Sequence, residues 1–350
     1  MKIVFNPLSD VGNQYPQMFV SFFKKNDIET YSLKQFLTSF KLFRTIKIVH
    51  FNWFENILGK INLHIALDCF ARISVLILLK LTGKTIIWTM HNKISHDSNG
   101  AYFKSKLTAF IIKIADSIII HSNESKNVIL RINPKAGKKI VHINHPNYID
   151  VYGPRLDNAN PDSGKLELLF LGAVKAYKNI EFLIDLAKKF PNEILLRVVG
   201  KPSSEQYKTS LINEVEGLRN VILELAFIND SEIPKYLANC DLLVCPYDTR
   251  SSLNSGSVIL AFSYGKSVIC PEIGTILDLK NIDNVFHYNY LTQEEHYEQL
   301  ELQINRAITL KKQNPFIFGQ LGEKLYAEVK ETSSMEVIGK YFIRLYKSLI

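Results

Sequence analysis

Short apolar runs of strand length recur along the chain, separated by segments in which apolar residues return every three or four positions. In the first half the runs lie at 2–6, 46–52, 85–90, 117–121 and 139–143, with helical spacing at 15–25, 64–81, 104–114 and 124–131. A second series places runs at 166–171, 194–199, 221–226, 241–246 and 267–271. This alternation predicts an α/β chain with parallel sheets, which bind ligands beyond the carboxyl ends of their strands. Residues 152–164, rich in Gly, Pro, Asn and Asp with almost no apolar content, read as the clearest linker. They predict an N-terminal domain over 1–155 and a C-terminal domain over 165–334.

The residues just after the strands carry the candidate chemistry. The run 168–171 stops at Gly172, and Lys175 and Lys178 follow before a helical pattern starts at Ile180. Such a strand, basic loop and helix can offer cations and helix N–H groups to a phosphate. The run 241–246 ends in Pro246-Tyr247, and Asn254-Ser255-Gly256-Ser257 opens an apolar helical segment closed by Gly265. Small polar residues there supply a cap and unhindered backbone donors. In the first half the post-strand positions hold Gly12-Asn13-Gln14, then Trp53, then His91 with His96-Asp97, and finally His145-Pro146-Asn147. Six of the nine histidines, at 50, 91, 96, 121, 142 and 145, lie at or just past strand ends. Their spacing matches no zinc motif, since His91 and His96 are not on one helical face, so no metal site is expected. The first loop is not G-x-G-x-x-G, which argues against a dinucleotide site.

Taken in order, Gly-x-Val-Lys-x-Tyr-Lys-Asn, strand-Pro-Tyr, Ser-Gly at a helix start and Val-Ile-x-Pro-x-x-Gly resemble the C-terminal half of GT-B-fold glycosyltransferases. The resemblance is to the bacterial branch related to family 4 that builds capsules, O-antigens and exopolysaccharides. Trp-Thr-x-His-Asn with His-Asp, and His-Pro-Asn-Tyr, resemble acceptor-domain motifs of the same enzymes. The resemblance implies two Rossmann-like domains facing across a cleft, with the terminal helix at 335–350 packing back on the first. It assigns the donor diphosphate to Lys175, Lys178, Ser255, Gly256 and Ser257. Nucleotide or donor sugar would fall to Gly200, Lys201, Phe227, Ile228, Tyr247, Asn254 and Glu272. Acceptor-side groups would be Gly12, Asn13, Gln14, Trp53, His145 and Asn147, and catalytic ones His91, His96 and Asp97. A hydroxyl nucleophile is weak, and Asp or His can be tuned to activate it. The chain departs from the commoner pattern at Ala173, where an arginine is usual, and at Ser252 and Leu260, where glutamates are usual.

The implied reaction moves a sugar from a UDP- or GDP-linked donor to a hydroxyl of a glycan or polyprenyl-diphosphate-linked acceptor, with no metal or other cofactor. A nucleotide-sugar epimerase on the same fold and a non-catalytic transferase-like binding subunit are the alternatives. Composition sharpens one point. The chain of 350 residues is +8 overall, yet residues 1–150 hold 20 Lys+Arg against 9 Asp+Glu, leaving the rest net acidic. A basic first half favours an anionic partner, either a phospholipid surface or a pyrophosphate-bearing acceptor. The sequence has no Arg-rich helix, zinc knuckle or recognisable nucleic-acid module, so nucleic acid is not expected as a partner. The segment 61–81 is interrupted by His64, Asp68 and Arg72, so it reads as a core helix and not a membrane span. Residues 1–6 read as a strand without a signal peptide's charged and apolar regions, and four cysteines without C-x-x-C spacing predict buried free thiols, so the expectation is a cytoplasmic protein placed at most peripherally on the membrane.

Overall fold

The computed structural model describes residues 1–57, 62–93, 100–157 and 164–350. The predicted base pair His96 and Asp97 therefore lies outside the described residues. Two compact units divide the chain. The first takes in Met1–Pro146, Arg250–Asn254 and Ser333–Ile350, and the second Asn147–Thr249 and Ser255–Thr332. The boundary thus falls at Pro146, ahead of the Gly/Pro/Asn/Asp segment. The physical reason is local, because Tyr148 N–H donates to Ser263 Oγ at 2.8 Å and Asn147 Nδ2 to the Val329 carbonyl at 2.8 Å. Those bonds fasten 147–148 to the second unit.

The first unit runs β1 (Lys2–Asn6), α1 (Tyr15–Lys25), β2 (Glu29–Tyr31), α2 (Leu33–Thr38), α3 (Phe40–Thr45), β3 (Ile48–Asn52), α4 (Asn62–Leu81), β4 (Thr85–Met90), α5 (Ala101–Ile114), β5 (Ser117–Ile120), α6 (Asn123–Ile132) and β6 (Ile140–His142). Its sheet is parallel in the order β2-β1-β3-β4-β5-β6. All five residues of β3 and all four of β5 are buried, as strands covered on both faces must be. The chain then continues with β7 (Leu166–Leu171), α7 (Ile180–Lys189), β8 (Ile194–Val199), α8 (Glu205–Glu214), β9 (Val221–Glu224), α9 (Ile233–Ala238), β10 (Leu242–Val244), α10 (Gly256–Ser263), β11 (Ser267–Pro271), α11 (Gly274–Leu277), β12 (Phe286–Tyr288), α12 (Gln293–Gln313), α13 (Ile317–Thr332) and α14 (Met335–Ser348). The second sheet has the order β12-β11-β10-β7-β8-β9. That order is the doubly wound one, and its direction reverses between β7 and β10. Such a reversal is where doubly wound sheets place their ligands, beyond the carboxyl ends of the strands.

Packing follows the sequence periods. Helix α7 buries Ile180, Leu183, Ile184 and Ala187, one face of a helix. Helix α14 joins the first unit through Ile338, Phe342 and Tyr346, with Phe342 4.5 Å from Phe19 in α1. Gly339 is what permits that approach, because a Cβ there would come within 2.2 Å of the Phe22 ring. Helix α4, expected to be a core helix, is buried on one side only: Ile65, Cys69, Leu76 and Leu79 pack inward, while Leu63, Leu67, Phe70, Ile77, Leu78 and Leu81 stay exposed. No helix among the described residues is long and apolar enough to cross a membrane. The four cysteines are free and buried.

Candidate functional site

In the second unit, the first basic loop and the start of α10 come together at the point where strand order reverses. Gly172 ends β7 with φ +137°, and Ser257 Oγ donates to the Leu171 carbonyl at 3.4 Å. Asn179, left-handed at φ 50°, donates through Nδ2 to the Pro246 carbonyl at 2.8 Å, which ties the loop to the end of β10. Lys178 follows the same direction. Its ammonium lies 4.3 Å from the centroid of the Tyr247 ring and 5.9 Å from that of Phe170. Tyr247 is buried, and its hydroxyl accepts from Ser255 Oγ at 3.1 Å. One aromatic residue therefore stands between the lysine and the cap of α10.

Burial pushes the Lys178 ammonium down to about 8, with Lys175 lowering it further while the nearby thiols of Cys245 and Cys270 act the other way. No carboxylate is among the groups acting on it. The ammonium is held over an aromatic face in surroundings that favour an incoming anion. Lys175 remains exposed, 5.9 Å from the Tyr177 ring. Ser255 turns out to be engaged within the protein: its Oγ accepts from Val258 N–H at 3.2 Å as the helix cap and gives its proton to Tyr247. The groups α10 can offer a ligand are then the Gly256 and Ser257 N–H bonds of its first turn, since that of Val258 is taken by the cap. Gly256 sits beneath Tyr148, whose hydroxyl would be 3.2 Å from a Cβ at that position. Tyr148 falls within the predicted first domain, and it is the unit boundary at Pro146 that places it here.

Gly200 has φ +144°, and a Cβ there would overlap the Gly172 carbonyl oxygen at 1.8 Å. Two glycines thus let the ends of β7 and β8 close on each other. Gly200→Ala is expected to destabilise the protein by about 3 kcal/mol or more, since both the left-handed backbone and the clash oppose it; thermal unfolding measures this, and an unchanged melting temperature would contradict the close approach. Lys201 is exposed, and its carbonyl accepts from Val174 N–H at 3.0 Å. Phe227 and Ile228 follow β9, with Phe227 largely exposed. Glu272 Oε1 accepts from His287 Nδ1 at 3.0 Å, so its carboxylate already has one partner. Asn254 belongs to the first unit, where Nδ2 donates to Ser125 Oγ at 3.3 Å beside the buried Leu253.

The first unit gathers its post-strand residues into an aromatic and imidazole cluster. His91 stacks on Trp53 with centroids 4.0 Å apart and planes at 17°. Trp53 takes the left-handed conformation at φ 51°, unusual for a bulky residue. The His91 Nε2 bonds Asn52 Oδ1 at 3.0 Å, which places the ring proton on Nε2. Tyr15 meets His91 edge-on at 4.9 Å and donates its hydroxyl to His121 Nε2 at 3.1 Å. His121 in turn donates Nδ1–H to the Ile143 carbonyl at 2.7 Å, and His145 donates Nδ1–H to that of Pro146 at 2.8 Å. Tyr15 and His121 belong to the same cluster; His121 is one of the post-strand histidines, whereas a tyrosine opening α1 carries no local mark of this placement. Gly12 and Asn13 shape the loop instead: Asn13 Oδ1 accepts from Tyr15 N–H at 2.9 Å, and Gly12 N–H bonds Asp10 Oδ1. Gln14 occupies the N-cap position of α1.

Burial holds all three imidazoles neutral. It drives His91 well below 6.5, His121 to about 3 and His145 to about 4, with the neighbouring imidazoles adding to the shift at His91 and His121. These folded-state values lie below that of an unfolded histidine, so the unfolded chain binds more protons and stability falls as pH drops below about 6.5. Acid unfolding of this unit is expected between pH 6 and about 4, and NMR of the imidazole C–H resonances should show no titration above pH 6 for these three residues. A midpoint near 6.5 for any of them would refute the burial argument. Among the described residues no cluster of His, Cys, Asp and Glu could hold a metal ion.

The family model for glycosyl transferases group 1 matches residues 156–317. The chain is 25% identical over 228 residues to a GDP-mannose:glycolipid 4-beta-D-mannosyltransferase of Xanthomonas campestris pv. campestris, covering 64% of this chain. It spans 61% of that relative's length. In structure it resembles Anabaena HepE in complex with UDP, with a TM-score of 0.70 at 14% identity over 99% of this chain and 100% of that one. It also resembles sucrose-phosphate synthase from Thermosynechococcus elongatus, with a TM-score of 0.76 at 15% identity over 99% and 98% of the two chains. The chain has the GT-B fold, and its residues 156–317 carry the match to the group 1 glycosyltransferases.

Proposed function

We propose that the protein is a glycosyltransferase that moves a hexosyl group from a UDP- or GDP-linked sugar to a hydroxyl of a glycan acceptor carried on a lipid, without a metal ion, in the synthesis of a bacterial surface polysaccharide. The observation that carries this reading is the convergence of the Lys178 ammonium, the Tyr247 ring and the start of α10 where the second sheet reverses its order. Leaving-group charge is the difficulty in breaking a sugar–diphosphate bond. A preorganised ammonium and helix N–H groups lower that cost without reorganising in the reaction. Lys175, on the exposed loop, would reach the same anion, and Glu272 would bind ribose hydroxyls. The domain roles follow: donor groups in the second unit, acceptor-side groups Trp53 and His145 in the first. His91 would hold the reacting sugar, and the pair at 96–97 would activate the acceptor.

Relatives support the donor class. The Anabaena neighbour was solved with UDP and the Xanthomonas relative is named for GDP-mannose and a glycolipid. Calorimetry with UDP and GDP tests the reading, together with transfer assays with and without a chelator. Micromolar binding of at least one nucleotide, with turnover indifferent to chelator, is expected. Binding of neither nucleotide would refute the proposal, and epimerisation of the donor with no acceptor present would replace it.

A further inference from the structure

The outer side of α4 is apolar where a surface helix is normally polar. Leu63, Leu67, Phe70, Ile77 and Leu81 recur at intervals of three, four and seven, which places them in one stripe, and Leu78 flanks it. Phe70 is 70% exposed and Leu81 81%. The inner face of the same helix is already filled by the core, so the stripe is not a misplaced core face. Scattered exposed leucines need no explanation, but five aligned on one helix form a patch that does.

Charge lies beside it. A cavity of about 380 Å³ opens where α4 and α5 end, lined by Lys80, Phe110, Lys113, Ile114, Asp116 and Lys139. Three lysines face one carboxylate there, and Asp116 is already paired with Lys80 at 2.5 Å. On α5 the exposed ridge carries Tyr102, with the Lys106 ammonium 5.3 Å from its ring, and Lys113. The acid within α4, Asp68, is bound by Arg72 at 3.0 Å. An apolar stripe with a cationic border and neutralised acids is the pattern of a helix lying in the headgroup layer of a membrane. A second copy of the chain would be a poor occupant, because a two-fold contact through this face would bring two lysine-bordered surfaces of the same charge together.

We propose that the exposed stripe of α4, with the lysine-lined cavity at its end, docks the first unit on a bilayer of anionic phospholipid, the cavity receiving a lipid phosphate. This deepens the reading above, on which it rests for a lipid-borne acceptor, but its test needs neither donor nor acceptor. Full-length protein is sedimented with phosphatidylglycerol-containing and with pure phosphatidylcholine vesicles at low and high salt. Binding to the anionic vesicles alone is expected, weakening at least tenfold at high salt. Leu67→Ser with Phe70→Ser, both at exposed positions, should weaken it about tenfold or more, as should Lys106→Glu with Lys113→Glu. Soluble glycerol phosphate at millimolar concentration should not compete, and if it does the cavity is a soluble-anion site and the docking surface is refuted. Unchanged circular dichroism and UDP affinity in the variants show that they are folded. Vesicle binding insensitive to both double variants, absent from folded wild-type protein, or replaced by a dimer that Leu67→Ser with Phe70→Ser dissociates, overturns the proposal. Absence of nucleotide binding with vesicle binding intact counts against the transferase reading alone.

Discussion

Lys178→Met is expected to raise the melting temperature while lowering affinity for UDP or GDP by 10²-fold or more on an order-of-magnitude basis. Both effects have one cause. Burial lowers the ammonium from 10.5 to about 8, and near neutral pH that difference corresponds to at most about 3 kcal/mol of folding free energy spent on keeping the charge inside. Met keeps the unbranched stem over Tyr247 and removes the charge. The sign is unusual for a lysine. Its folded value is the lower one, so the penalty is fully present below pH 8, shrinks as pH rises from 8 to 10.5, and vanishes above. Wild-type stability should therefore gain on the variant as pH rises through that window. Nucleotide affinity should move oppositely, falling above pH 8 as the ammonium is lost. Differential scanning fluorimetry and calorimetry over pH 6.5–9.5 measure both. A variant that loses stability and keeps its nucleotide would mean that the lysine is merely structural.

Much of the fold could be read from residue periods, and the losses have physical reasons. Runs at 2–6, 85–90, 166–171, 194–199 and 267–271 coincide with strands because each is dominated by apolar residues, with at most two polar positions, and buries most of its side chains. The strands β2 and β12 were not anticipated. Each has three residues, and Glu-Thr-Tyr and Phe-His-Tyr are too short and too polar to stand out from turns. Both are edge strands, where pairing on one side suffices. At the candidate site, the glycines and basic loop were visible because they interrupt a strand. What was not visible was division of labour. Ser255 looks like a ligand in sequence, yet its hydroxyl caps α10, and Asn254 next to it belongs with Ser125 in the other unit. Neighbours in sequence can serve different units when the chain crosses between them twice within seven residues, as it does at 249–255.

His91→Ala should cut turnover about 10²-fold while leaving UDP or GDP affinity within about twofold. His91 belongs to the first unit and the residues assigned to the diphosphate to the second, so the two readouts are separable. The ring is held on two sides, stacked on Trp53 at 4.0 Å and bonded to Asn52 at 3.0 Å. Such restraint gives a fixed direction to its remaining nitrogen, as a group that must meet a reacting sugar requires. Removal leaves a void and strips Trp53 of its stacking partner, costing about 1–3 kcal/mol of stability, so kinetics must be read well below the melting temperature. His121→Phe is the control. It removes a hydrogen-bonded imidazole that braces Tyr15 and the Ile143 carbonyl, and it should destabilise the unit by a similar amount with turnover reduced less than about fivefold. Because burial keeps His91 neutral, its contribution to turnover should stay constant from pH 6 to 8. Equal losses of turnover in the two variants would show that His91 acts only through stability. Turnover untouched by His91→Ala would point to a binding subunit instead of an enzyme.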